Sequence, residues 1–148
     1  MADTNQYLRL TLADRNFLLP STASLAIEQK ESIQMGALPR GSIIGHRNVS
    51  GSKWPVLSLS SELQGDTSAA WTRAVFVGNA IHAVGIAVNE VMLLPRQDTV
   101  VEPFNPVGPP PTSAGHIFSG AWIHEGRVVL VLDPKGLSGY LQTLAEGS

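Results

Sequence analysis

Short alternating runs dominate the chain. Tyr7-Leu8-Arg9-Leu10-Thr11-Leu12 puts Leu8, Leu10 and Leu12 on one face and Tyr7, Arg9 and Thr11 on the other, the period of a half-buried strand. Asp14-Arg15-Asn16 supplies turn chemistry. Phe17-Leu18-Leu19 then returns as the partner strand until Pro20 stops it, and Ser21 to Leu25 suits a short helical turn. A second hairpin runs from Arg73–Val77 through Gly78-Asn79 into Ala80–Val88, with His82 inside its second run. A third joins Ile117–Ile123 to Arg127–Leu132 through His124-Glu125-Gly126. Asp133-Pro134 places a capping side chain before a residue favoured at the first helical position. A helix over Pro134–Ala145 is therefore predicted, weakened by Gly136 and Gly139. This is a mainly β chain, a barrel or a sandwich, with short helices and a C-terminal helix.

The glycines hide a repeat. Gly45 and Gly51 are spaced as Gly120 and Gly126 are, and the runs after them end alike, in Val56-Leu57-Ser58 and Val131-Leu132-Asp133. A leucine follows shortly after each, Leu63 and Leu137, in what would be the next helical turn. Each half reads as a strand, a turn that needs glycine, a buried strand and a polar helix-initiating residue. Neither half can bury a generous core alone, so two small β lobes packed against each other are expected.

The 148 residues suit one domain, with 43% hydrophobic and 15% charged residues. Ten basic against twelve acidic residues give a net charge of −2, so no global attraction to nucleic acid or an anionic membrane is expected. The absence of cysteine removes disulfides, thiolate nucleophiles and thiolate metal sites, and fits a reducing compartment. Met1–Gln6 lacks the features of a secretory signal, and no apolar run approaches the ~20 residues that span a bilayer, so a cytoplasmic protein without membrane insertion is expected. Pro103–Gly115 holds five of the ten prolines and reads as an extended surface connection.

Candidate chemistry is thin. Ser50-Gly51-Ser52-Lys53 matches Ser-x-x-Lys, but Gly51 and Trp54-Pro55 favour a turn into a strand over the helix that motif needs, and its companion elements are missing. His46, His82, His116 and His124, even with Glu125 or Asp133, lack the tight spacing of metal ligands, so neither a metal nor another cofactor is expected. No phosphate loop, nucleophile elbow or dinucleotide fingerprint is present, and few aromatics interleave with arginine, which argues against a nucleic-acid partner. Such a chain works by binding.

The order of segments then resembles a family. Gly45-His46-Arg47-Asn48-Val49-Ser50-Gly51-Ser52-Lys53-Trp54-Pro55-Val56-Leu57-Ser58-Leu59 is similar to the central signature of CheW-like domains, Gly-x-x-x-Leu-Arg-Gly-x-x-x-Pro-Val-x-Asp-Leu. Val84–Val91 resembles their Val-Gly-Leu-x-Val-Asp-x-Val segment, Gly120–Leu137 their closing hairpin and helix, and Tyr7–Pro20 their opening hairpin. The resemblance implies one domain over 1–148 made of two SH3-like five-stranded β-barrel lobes with a groove between them. It also implies a non-enzymatic adaptor joining methyl-accepting chemoreceptors to a CheA-type histidine kinase. The chain departs from the pattern at Ser50 for arginine, Val49 for leucine, Ser58 for aspartate and Asn89 for aspartate. Serine loses the charge and most of the donors of arginine, which suggests a divergent paralogue in a system controlling type IV pili and twitching.

The expected partner-binding residues are Val49, Ser50 and Gly51 in the turn, Trp54 as an anchor or a barrel cap, and Val56, Gly85 and Val88 in strands supporting the contact faces. Two rivals stay open, a small hydrolase built on Ser50 or a histidine, and a self-associating β module.

Overall fold

The computed structural model describes residues 6–12, 15–40, 43–58, 71–79, 82–95, 99–104 and 116–146. Twelve strands and one α-helix stand among them. Lobe 1 takes both ends of the chain: β1 (Tyr7–Leu12), β2 (Arg15–Pro20), β9 (Glu90–Leu93), β10 (Val101–Pro103), β11 (Phe118–His124) and β12 (Arg127–Leu132). Lobe 2 is the continuous middle: β3 (Ala26–Gln29), β4 (Gln34–Arg40), β5 (Ile43–Val49), β6 (Ser52–Leu57), β7 (Arg73–Val77) and β8 (Val84–Val88). Helix α1 (Pro134–Glu146) closes the chain.

The two sheets have one plan. Lobe 1 runs β10-β11-β12-β2-β1-β9 and lobe 2, read in the same direction, β4-β5-β6-β8-β7-β3. Each contains a single parallel junction, β12 with β2 and β6 with β8, among antiparallel neighbours. The match extends to register. Gly45 faces Val56 and Gly120 faces Val131, each beside a register shift, between Ile43 and Gly45 and between Phe118 and Gly120. The repeat read from the glycines is therefore structural pseudo-symmetry, with lobe 2 inserted between β2 and β9 of lobe 1. Each sheet has six strands where five were expected. The short edge strands β3 and β9 raise the number, pairing with β7 and β1 over four residues each.

Two other boundaries move. The second strand of the middle hairpin starts at Val84, not Ala80, and His82 lies in the connection, where its N–H donates to Asn79 Oδ1 at 2.9 Å. That side-chain bond makes a local turn that competes with strand pairing. The Val84–Val91 segment, one run in the sequence, is two strands in different lobes. It crosses at Asn89, whose N–H donates to Thr11 O at 2.7 Å. Ser21–Ala23 forms the expected short turn, as a 3-10 helix. Pro103 ends an edge strand, while 105–115 and Leu63 lie outside the described residues.

Alternation sorts the side chains into three cores. Leu8, Leu10 and Leu12 join Val75, Val77 and Ile86 in a core shared by the lobes, and Leu137 and Leu141, one turn apart on α1, complete it. Burial of each such aliphatic side chain stabilises the fold by about 1.5–3 kcal/mol. Tyr7, Leu18, Leu94, Trp122 and Val129 fill lobe 1, and Trp54, Val56, Trp71 and Phe76 fill lobe 2. Helix α1 starts as predicted: Asp133 Oδ2 accepts from Gly136 N–H at 2.8 Å, an N-cap bond, and Gln142 Nε2 donates to His82 O at 2.6 Å, tying the helix to lobe 2.

Candidate protein-docking site

The β5–β6 hairpin carries the strongest surface candidates. Its strands pair down to Val49 opposite Ser52, leaving only Ser50 and Gly51 to turn the chain. Both have positive φ, 48° and 83°, the turn whose twist matches that of the flanking strands. Glycine accepts this region freely, whereas Ser50 holds it at a cost of about 1 kcal/mol. A Cβ built on Gly51 would meet nothing within 4 Å. The apex thus projects clear of the body, with Ser50 and Gly51 exposed and Val49 half-buried.

The base of the hairpin is held on both sides. Arg47 Nη1 pairs with Glu28 Oε1 of β3, with side-chain exposures of 30% and 24%. Asn48 Nδ2 donates to Gln34 Oε1 at 3.1 Å. Since β3 and β5 stand near opposite ends of the sheet order, the Arg47–Glu28 pair shows that the sheet curls round on itself.

Of the seven expected contact residues, only three form this surface. Trp54 is 7% exposed and packs on Phe76 with ring centroids 5.4 Å apart, so it fills lobe 2 and anchors nothing outside. Its Nε1 is buried without a hydrogen-bond partner among the described residues. Val56 and Val88 are 0% exposed, and Gly85 is buried because the Phe76 ring occupies the place of a side chain, 2.7 Å from where a Cβ would stand. Their side chains offer no surface to a partner. Alternation within strands buried on both faces accounts for it: a Val-Gly-Ile-Ala-Val run has no outward side. Sequence reasoning passed over Arg47 and Glu28, whose pairing no spacing rule signals across distant strands.

Among the described residues, the reactive candidates named from the sequence stand apart. Ser50 is in a turn and Lys53 is exposed on β6, so they share no helix face. His46 lies on β5, His82 in a connection, His116 before β11 and His124 at the end of β11, and no group of three metal-ligating side chains converges among the described residues.

The model for the CheW-like domain family matches residues 6–141. The chain belongs to the CheW-like domain family. A comparison with solved structures finds similarity to the scaffolding protein TtCheW from Thermoanaerobacter tengcongensis, at 18% identity and a TM-score of 0.62, covering 88% of this chain and 90% of that one. A comparison with curated proteins finds no match. In this CheW-like domain the departures from the family signature fall at structurally distinct places. Ser50 is the exposed turn apex, Ser58 directly follows β6, and Asn89 is the crossing point between lobes.

Proposed function

We propose that this CheW-like domain is a non-enzymatic chemosensory adaptor that holds a CheA-type histidine kinase and a methyl-accepting chemoreceptor in fixed relative geometry. The observation that carries the reading is the turn after Val49, where Ser50 and Gly51 form a tight exposed apex within the block that resembles the family's signature. A preformed turn loses little conformational entropy on binding, so a modest contact suffices for recognition. Coupling then needs no bond chemistry, because a receptor state that favours one packing shifts the kinase by ~1–3 kcal/mol in linked systems of this kind. We read Ser50, uncharged where the family pattern has arginine, as the mark of a divergent paralogue, one that serves a system controlling type IV pili and twitching.

Titration of the purified chain against the regulatory domain of a CheA-type kinase tests the adaptor reading, with saturation expected below tens of micromolar (roughly −6 kcal/mol or better). Absence of saturable binding overturns it. Deletion of the coding sequence should impair twitching and leave swimming intact, and the reverse pattern would move the domain to a flagellar system.

A further inference from the structure

The fold requires no charge near the tip of the β5–β6 hairpin. Its twin, the β11–β12 hairpin, has the same two-residue turn, with His124 opposite Arg127 where lobe 2 has Val49 opposite Ser52. From these pairs, Ser50 matches Glu125 and Lys53 matches Val128. Val128 is 63% exposed and Lys53 is exposed too, so the position lies outside the packed core in both lobes. An aliphatic side chain serves the strand there in lobe 1, and the ammonium of Lys53 therefore has no packing duty.

Nor does that ammonium have a partner. Lys53 makes no ion pair or hydrogen bond among the described residues, whereas Arg47, one residue pair deeper on β5, is held by Glu28 of β3. Alternation turns Lys53 to the outer side of the sheet, since its neighbour Trp54 fills the lobe. From Ser32 to Ser61, a stretch that contains β4, β5 and β6, the sequence has no aspartate or glutamate. A chain of net charge −2 thus carries a locally basic tip.

The family pattern has an arginine at the apex where this chain has Ser50, and Lys53 stands three residues further on. Serine is small, and the turn beside it is open, with nothing within 4 Å of a Cβ built on Gly51. A lysine stem is long and flexible enough to bring its ammonium in front of that opening. We propose that Lys53 supplies, from the returning strand, the cation missing at Ser50, and that it pairs with a carboxylate on the partner protein that docks at this turn. The inference deepens the adaptor reading and rests on it.

The test titrates the full chain against two probes, the regulatory domain of a CheA-type kinase and the cytoplasmic fragment of a chemoreceptor, at low and at high salt. Lys53→Gln should weaken binding of the probe that docks at the turn about fivefold at low salt, and the loss should shrink as salt is added. Ser50→Arg placed in the Lys53→Gln chain should restore the affinity, because it returns a cation to the same opening. Lys135→Gln, an equal change of net charge on α1, should leave both affinities unchanged, and all these variants should unfold like the wild type. Wild-type binding with no loss at either probe in Lys53→Gln overturns this inference and leaves the adaptor reading standing. So does a loss that Ser50→Arg fails to restore, or an equal loss in Lys135→Gln. A wild-type chain that binds neither probe removes the adaptor reading and this inference with it. Concentration-dependent self-association in sedimentation that Lys53→Gln abolishes would make a second copy the occupant, and overturns the inference too.

Discussion

The two lobes close the same six-stranded plan with opposite chemistry. Lobe 2 joins β5 to β3 through Arg47 and Glu28. In lobe 1 the matching positions hold Trp122 on β11 and Leu94 after β9, 5% and 7% exposed, in one apolar cluster. The tryptophans have also changed strands: Trp54 on β6 faces Arg47, whereas Trp122 on β11 faces Val129. Volume and closure are conserved between the lobes while the residues supplying them are not. Shape therefore constrains this fold more tightly than residue type at any one site, as expected for close-packed interiors.

The sharpest test of that comparison removes the apolar closure. Trp122→Ala should cost about 4 kcal/mol in urea unfolding, the range for emptying a large aromatic site. A loss below about 1.5 kcal/mol would mean that Trp122 only covers the edge of lobe 1 and that the lobes do not share a closing principle.

Next in size is a swap within the sheets. Phe76 on β7 faces Gly85 on β8, and the equivalent pair in lobe 1 is Arg9 facing Leu18, so bulk sits on opposite strands in the two lobes. Gly85→Leu drives a side chain into the Phe76 ring and should cost about 3 kcal/mol, and Phe76→Ala a similar amount through its cavity. Combined, they move the buried apolar side chain to the strand that carries it in lobe 1, at Leu18, and the double variant should be at least 1 kcal/mol more stable than the sum of the singles predicts. Strict additivity would show that the two positions do not share one volume.

These swaps also explain how far the sequence could be read. Leu8, Leu10 and Leu12 alternated cleanly because one face of β1 meets the shared core, and Asp133-Pro134 announced the helix because capping is local chemistry. The paired glycines revealed the repeat because positive φ at Gly51 and Gly126 admits few substitutes. Lobe membership was not legible at Asn89, since one apolar run serves two sheets and periodicity does not record which sheet a strand joins. The site divided along the same line. A turn such as Ser50-Gly51 is exposed by its local geometry, but the burial of Trp54, Val56, Gly85 and Val88 depends on what folds over them from distant segments.

Twin turns give the third prediction. Ser50-Gly51 and Glu125-Gly126 both place two consecutive residues at positive φ, and added Cβ atoms at either glycine have open space. Gly51→Ala and Gly126→Ala should each lose about 1 kcal/mol, purely from backbone strain. Matching shifts of the thermal midpoint support equivalence, and a difference larger than about 0.5 kcal/mol would show that one turn is held by contacts the other lacks.

The smallest effect separates the two closures by their response to salt. Glu28→Gln keeps the shape of the side chain and removes its charge, so Arg47 retains a hydrogen-bond acceptor but loses its counter-ion. Because both groups are partly solvated, the cost should be about 1 kcal/mol at low ionic strength. It should shrink as salt is added, since screening weakens the wild-type pair and leaves the variant unchanged. The cost of Trp122→Ala, by contrast, should persist, because screening does not act on buried apolar area. Measured at low and at high salt, only the Glu28→Gln variant should approach the stability of the wild type. A Glu28→Gln cost that stays constant would place the Arg47 charge in an environment as dry as that of Trp122, and the contrast between an ionic lobe and an apolar lobe would fall.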